Sequence, residues 1–240
     1  MARSARIFIV GETPLVEEYA SLCVSKGFPV FIKSNTAGAS FPRGVRKSAR
    51  VPTSVTFALE LTNTSADLKR KNLRLLDRST PAGTPIISSS VTVTVAEQSS
   101  WINKPGRLLG IGALPSLLEG QLIELARSQS TSEQAIDNVR KFISSLGKDA
   151  IVVADSIGMV MPRILCMLAN EAWFAMMEAV AGSDDIDTAM KLGTNYPAGP
   201  VEWARRIGLR QVFAVLSALH SHFGEDRYRV APNLRLEALP

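Results

Sequence analysis

Ile7-Phe-Ile-Val10 is a four-residue apolar run closed by Gly11, the form of a strand buried on both faces. Leu15 to Lys26 carries apolar residues at helical spacing and stops at Gly27, a residue that ends helices by entering left-handed backbone. Val30-Phe-Ile32 follows as a second strand. A strand, a helix and a strand joined by such short links leave one common solution. The strands lie parallel in one sheet and the helix crosses over right-handedly. The first half of the chain is therefore expected to be a doubly wound, Rossmann-like α/β domain.

The pattern continues with a basic, Pro- and Gly-containing loop from Ser34 to Ser54, then a strand from Thr56 to Leu61 and a basic helix from Ser65 to Asp77. Short strands are expected at Pro85 to Ile87, Leu108 to Ile111 and Leu122 to Leu125, and a closing strand at Ile151 to Val153. A helix from Ser132 to Leu146 fits between the last two, with Thr131 and Gln134 spaced as a capping box. From Asp155 onward the periodicity is helical. Pro162 suits the first turn of a long helix reaching about Ala181, apolar on nearly every side and so needing a core or a second subunit to cover it. The expected division is residues 1–153 for a shortened α/β domain and 154–240 for an all-helical one.

Composition excludes several classes. With 46% hydrophobic and 20% charged residues, the chain has the balance of a soluble globular protein. Cys23 and Cys166 are far apart in apolar surroundings, which fits buried thiols and no disulfide framework, and no metal-ligand spacing occurs. The apolar run after the basic start ends at Val10, too short for a signal peptide. The longest apolar stretch, Ile157 to Ala169, is broken by Pro162 and Arg163 and falls short of a membrane span. A cytoplasmic place is expected, without membrane. Positive charge gathers at Arg43, Arg46, Lys47 and Arg50, then at Lys69, Arg70, Lys71, Arg74 and Arg78. These read as a solvated face or a site for phosphates; no recognition motif for nucleic acid accompanies them.

Two stretches carry a resemblance. Asp185-Ile-Asp-Thr-Ala-Met-Lys-Leu-Gly-Thr-Asn-Tyr-Pro-Ala-Gly-Pro-Val-Glu-Trp203, with Arg206-Ile-Gly-Leu209 and Phe223-Gly-Glu-Asp-Arg-Tyr228, resembles the C-terminal domain of bacterial 3-hydroxyacyl-CoA dehydrogenases. Arg107-Leu-Leu-Gly-Ile-Gly-Ala-Leu-Pro-Ser116 with Gln121-Leu-Ile-Glu124 resembles the active-site segment of the same family. The resemblance implies an NAD-dependent oxidoreductase of 3-hydroxyacyl-CoA in fatty-acid metabolism. It also implies a homodimer formed through the helical domain and an acyl-CoA ligand.

Residue by residue, the resemblance also marks what is gone. The family histidine that takes the hydroxyl proton is Gly112, its orienting glutamate is kept as Glu124, the serine near the substrate is Val91, and the asparagine opening the helical domain is Pro162. The dinucleotide loop Gly-x-Gly-x-x-Gly reads Gly11-Glu-Thr-Pro-Leu-Val16, so Thr13 and Val16 put side chains where backbone should approach the pyrophosphate, and Glu12 adds negative charge there. The cofactor positions are thus Gly11, Glu12, Thr13, Ser34 at the ribose carboxylate position beside Lys33, Glu60, and Thr64; Lys33 with Ser34 leaves NADP open. Ser88, Ser89 and Lys69 stand at candidate substrate-binding positions. A glycine cannot act as a base, and general-base catalysis contributes about 10²–10⁴-fold. The expectation is a family member with weak or no activity, or a non-catalytic dimeric homologue that binds acyl-CoA or a partner protein.

Overall fold

The computed structural model describes residues 5–33 and 41–239. Ser34 and part of the basic loop lie outside the described residues. The first half is one eight-stranded sheet in the order β3-β2-β1-β4-β5-β6-β7-β8. Its strands are β1 (Ile7–Gly11), β2 (Val30–Lys33), β3 (Val45–Lys47), β4 (Phe57–Leu61), β5 (Ile86–Ser89), β6 (Leu108–Ile111), β7 (Leu122–Ala126) and β8 (Asp149–Val152). Neighbours are parallel except β6 and β7, which run antiparallel with Ile111 opposite Leu125. The expected doubly wound, Rossmann-like domain is present.

Helices cover both faces of the sheet. On one, α1 (Leu15–Ser25) and α4 (Glu133–Ser145) bury Leu15, Tyr19, Val139 and Phe142 against Ile7, Ile9, Leu59 and Ile111. On the other, α2 (Ala66–Ser79) and α3 (Val95–Ser99) bury Leu73, Leu76 and Val95 against Phe8, Ala58 and Ile86. Successive strand residues alternate between these layers, as a two-residue period demands. Each fully buried leucine or isoleucine contributes roughly 1.5–3 kcal/mol. Gly27 ends α1 as expected, in left-handed backbone at φ +80°.

The second half comprises α5 (Met161–Met177), α6 (Ser183–Thr194), α7 (Pro200–Ile207), α8 (Leu209–Phe223) and α9 (Pro232–Glu237). Trp173, Val201, Val215, Leu216 and Leu219 form its core, and Val91 and Leu114 from the sheet half reach into it.

Three local expectations need correction, and two short helices go beyond them. The Ser34 to Ser54 segment contains β3, which pairs with β2 through Val30 and Val45. Val-Arg-Lys has no apolar run of its own, so only the neighbouring strand makes it a strand. The cap of α4 is Ser132, whose Oγ accepts the Ala135 N–H at 3.2 Å. Thr131 instead donates to the Leu108 carbonyl at 2.9 Å. The long helix α5 stops at Met177, because Ala179 adopts left-handed backbone at φ +56° and α6 begins four residues later. Finally, α3 and α9, at five and six residues, are too short for periodicity to reveal.

Candidate functional site

In an open α/β sheet the ligand crevice lies outside the carboxyl ends of the strands where the order reverses. Here that point falls between β1 and β4, since β1 is flanked by β2 on one side and β4 on the other. Gly11 ends β1 at φ +151°, and a Cβ on it would stand 2.4 Å from the Leu61 carbonyl oxygen. The first glycine of the loop is therefore required for β1 to approach β4, where the Glu12 N–H donates to Leu61 O at 3.0 Å. Close strand approach accounts for it without a phosphate.

Glu12 fills the crevice. Its carboxylate accepts the N–H groups of Asn63 at 2.9 Å and Thr64 at 3.2 Å, and the Thr64 hydroxyl at 2.6 Å. From the helical half, the Gln211 carboxamide donates to it at 2.6 Å. These donors at the carboxyl end of β4 face an internal anion. The network continues inward: Asn63 Nδ2 donates to Gln211 Oε1 and to the Ala113 carbonyl, both at 2.9 Å, and Ser89 donates to Asn63 Oδ1 at 2.6 Å. Asn63, Ser89 and Gln211 are all buried. Val16, at the third glycine position, is fully buried.

A dinucleotide does not fit these residues. Its pyrophosphate needs free N–H groups and bare backbone at this loop. Here Thr13 and Val16 carry side chains, Pro14 has no N–H, the Val16 N–H donates to the Glu12 carbonyl at 3.1 Å, and the Glu12 carboxylate would repel the pyrophosphate.

Glu60, Lys69 and Ser88 meet in a separate buried cluster. Lys69 Nζ lies 2.5 Å from Glu60 Oε2 and donates to the Ser89 carbonyl at 2.7 Å, while Ser88 Oγ donates to Glu60 at 3.1 Å. Asn72 donates to the other Glu60 oxygen at 3.3 Å. Lys69 is 1% exposed and Glu60 and Ser88 are 0% exposed, so none faces a cleft. In this structure Lys69, Ser88 and Ser89 bond to one another and to the protein interior. A buried pair of this kind needs all its hydrogen bonds to offset desolvation.

The positions resembling a catalytic centre do converge. A Cβ on Gly112 would lie 3.3 Å from Glu124 Oε2 and 3.5 Å from Pro162 Cγ. Gly112 N–H donates to the Glu124 carbonyl across β6 and β7 at 3.1 Å. Glu124 is buried, and its carboxylate accepts the N–H groups of Val160 at 2.9 Å and Met161 at 2.7 Å. It thus caps the start of α5, where the helix dipole favours an anion and no residue of the helix itself provides a cap. Pro162 sits in the first turn, which has no use for its missing N–H. Val91 is fully buried and its carbonyl accepts the Gly158 N–H at 2.9 Å. His220 and His222 are both exposed on the last turn of α8. Arg163 turns away, donating to the Ile157 carbonyl at 2.8 Å with its guanidinium 5.0 Å from the Phe223 ring centre.

Adjoining groups serve structure. Glu18 accepts the Ser116 N–H at 3.0 Å and pins the Pro115-Ser116 loop, where Ser116 is left-handed at φ +65°. Burial pushes its carboxyl up, opposed by the Ser116 N–H and reinforced by Glu119 and Glu17. Cys23, buried in apolar surroundings, is pushed up to about 12, and burial also raises Cys166, so both thiols are poor nucleophiles. Among the described residues no His, Cys, Asp and Glu group could hold a metal ion, and no helix is long and apolar enough to cross a membrane. In the helical half, Asp187 accepts the N–H groups of Val201 at 2.8 Å and Glu202 at 3.0 Å and so caps α7. A Cβ on Gly199 would stand 2.1 Å from Asp187 Oδ1. Within the Asp185 to Trp203 motif, Asp187 and Gly199 thus serve packing.

Sequence reasoning passed over Asn63 and Gln211, the residues that close the crevice. Neither type signals function alone, and their bond spans 148 positions of chain.

Fold and site together define a two-domain protein: a nucleotide-type α/β sheet whose ligand crevice is closed by hydrogen bonds to a helical partner domain. Residues 43–156 match the family described as 3-hydroxyacyl-CoA dehydrogenase, NAD binding domain, and residues 158–237 match its C-terminal domain. The first match begins beyond the Gly11 to Val16 loop. A probable 3-hydroxybutyryl-CoA dehydrogenase of Bacillus subtilis is 34% identical over 167 residues, covering 70% of this chain and 58% of that protein. The 3-hydroxybutyryl-CoA dehydrogenase of Clostridioides difficile is 31% identical over 168 residues, covering 70% of this chain and 60% of that one. The chain thus spans about three fifths of the length of these relatives. Among solved structures, (S)-3-hydroxybutyryl-CoA dehydrogenase from Ralstonia eutropha superposes with a TM-score of 0.77 at 24% identity, covering 97% of this chain and 93% of that one. The M. tuberculosis FadB2 structure gives 0.83 at 19% identity, covering 98% and 93%. The chain carries both domains of the 3-hydroxyacyl-CoA dehydrogenase family and belongs to it.

Proposed function

We propose that this chain is a non-catalytic member of its family, acting as a homodimer assembled through the helical domain. The observation that carries the reading is the Glu12 carboxylate, held at the switch point by Asn63, Thr64 and Gln211 where the family's cofactor would need room and positive potential. Gly112 supports it, since glycine offers no base at the position that faces Glu124. The two losses compound: one removes acid–base chemistry, the other removes positioning of the hydride carrier.

A second copy of the chain is the partner that suits the apolar residues left uncovered on the helical half. Ile164 is 52% exposed, Val180 71% and Leu192 83%, with Met161 and Met177 also exposed. Exposed apolar side chains of this size favour burial against another subunit. Two free, buried thiols suit a reducing cytoplasm.

A residual 3-hydroxyacyl-CoA dehydrogenase activity is the second reading, favoured by one observation: Glu124 still faces the position a side chain at 112 would take. NADH titration of the purified protein, followed by NADH oxidation with acetoacetyl-CoA, separates the two. The non-catalytic reading expects neither binding nor turnover, in the protein itself and in Gly112→His. Saturable NADH binding with measurable turnover overturns it.

A further inference from the structure

From Tyr19 to Leu59 the sequence holds no aspartate or glutamate, while Lys26, Lys33, Arg43, Arg46, Lys47 and Arg50 fall within it. These cations exceed the net charge of +5 carried by the whole chain, so the rest of the protein is close to neutral. The fold gathers four of them on one edge of the sheet. Arg46 and Lys47 lie in β3, Arg43 and Arg50 flank it, and all four are exposed. Among the described residues none of the four forms an ion pair.

Local bonds hold this edge in shape. The Val45 N–H donates to the Pro42 carbonyl at 3.2 Å and closes the turn that carries Arg43. Beyond the strand, Ser48 Oγ donates to the Arg50 carbonyl at 2.6 Å. The Arg46 guanidinium stands 5.8 Å from the Phe31 ring centre, and the Lys47 ammonium 5.5 Å from that of Phe41. Successive strand residues face opposite sides of a sheet, so one of these cations is presented on each face. Among the described residues β3 is the outermost strand and pairs with β2 alone. The Ser48 N–H donates to the Ile32 carbonyl at 2.9 Å. By alternation, the main-chain N–H and C=O of Lys47 point away from β2.

We propose that this edge docks an extended acidic segment of a partner protein, added to the sheet as a further strand beside β3. Main-chain pairing at Lys47 fixes the register, and opposite charges across the two strands supply the selectivity. The segment carries consecutive acidic residues, because acids at alternate positions would all lie on one face and meet only one of Arg46 and Lys47. Single-stranded nucleic acid is disfavoured: it needs open aromatic faces, and cations stand over the Phe31 and Phe41 rings. An anionic membrane is disfavoured because no large apolar side chain is exposed between residues 41 and 56. The inference is independent of the non-catalytic reading, since β2 and β1 separate this edge from the Glu12 crevice.

Fluorescence anisotropy of a labelled, wholly acidic octapeptide of alternating Asp and Glu, titrated with the full chain at low ionic strength, tests it. Saturable binding is expected, weakened about tenfold when Arg46→Gln and Lys47→Gln are combined. The same peptide N-methylated at alternate residues keeps its charge but cannot pair as a strand, and it should also bind about tenfold more weakly. Arg140→Gln, exposed on α4, should leave binding unchanged. Absence of binding overturns the proposal and is the result for cations that only guard the edge against other copies. Equal affinity for the N-methylated peptide, or equal weakening by Arg140→Gln, also overturns it. Tighter, Arg46-dependent binding of a single-stranded oligonucleotide or of phosphatidylserine vesicles than of the peptide overturns it too.

Discussion

The Gln211 side chain donates to the Glu12 carboxylate at 2.6 Å, joining residues 199 positions apart and the two halves of the chain. Glu12 is thus both the plug of a crevice and a fastening between domains. Removing it leaves the Asn63 and Thr64 N–H groups and the Gln211 carboxamide without their acceptor. Glu12→Ala is expected to destabilise the fold by about 2–4 kcal/mol, since orphaned donors cost more than the net bond. Urea unfolding measures this, and a Glu12/Gln211 double-mutant cycle should give coupling of roughly 1 kcal/mol. Zero coupling would sink the fastening.

Gly199 and Asp187 form a second, testable pair. A methyl group at 199 would overlap Asp187, whose carboxylate caps α7. Gly199→Ala should cost about 1–3 kcal/mol through overpacking. Asp187→Ala should cost about 1 kcal/mol through the lost cap. The double variant is expected to be less destabilised than the sum, because truncating Asp187 removes the clash. Additive losses in chemical denaturation contradict this.

Acid stability depends on Asp77. Burial pushes its carboxyl up, but the Arg107 hydrogen bond, the Asn103 N–H and the nearby Arg107 and Lys104 charges outweigh it, and the net displacement is downward. A carboxyl held below its unfolded value contributes stability that is present above that value and lost as pH falls through the folded one. Glu18 runs the opposite way. Raised above its ordinary value, its contribution is present at low pH and lost as pH rises through the folded value. Asp77→Asn should therefore flatten the acid limb of the stability–pH curve and Glu18→Gln the limb above the usual glutamate range. At neutral pH Asp77→Asn should also cost about 3 kcal/mol by stranding Arg107, whose guanidinium lies 2.9 Å from Asp77 in the interior. Thermal melts across pH provide the check.

The exposed apolar residues of the helical half predict a concentration-dependent dimer. Ile164→Glu or Leu192→Glu should shift sedimentation toward monomer with little change in monomer secondary structure, since both side chains are at the surface. A wild-type chain that sediments as a monomer at high concentration refutes the assembly.

Much of the architecture was legible in local pattern. The Ile7 to Val10 run, the Gly27 stop and the Pro162 start each report backbone conformation directly, and each stands where local spacing places it. Local pattern failed at β3, whose Val-Arg-Lys is a strand only because β2 pairs with it, and at the α4 cap. Thr131 and Ser132 are both competent caps, and the Leu108 carbonyl decided between them by taking the Thr131 hydroxyl.

The chemistry divided along the same line. That Gly112 cannot accept a proton, and that Thr13 and Val16 carry side chains where the family resemblance implies glycine, follows from residue type once the resemblance sets the positions. The fate of Glu12, Glu124 and Lys69 does not. Each is an ionised side chain whose role depends on its partner, and those partners arrive from other strands and helices: Gln211 for Glu12, the Val160 and Met161 N–H groups for Glu124, Glu60 for Lys69. Periodicity records which way a side chain points along its own element. Only packing of the elements sets which donor meets which carboxylate.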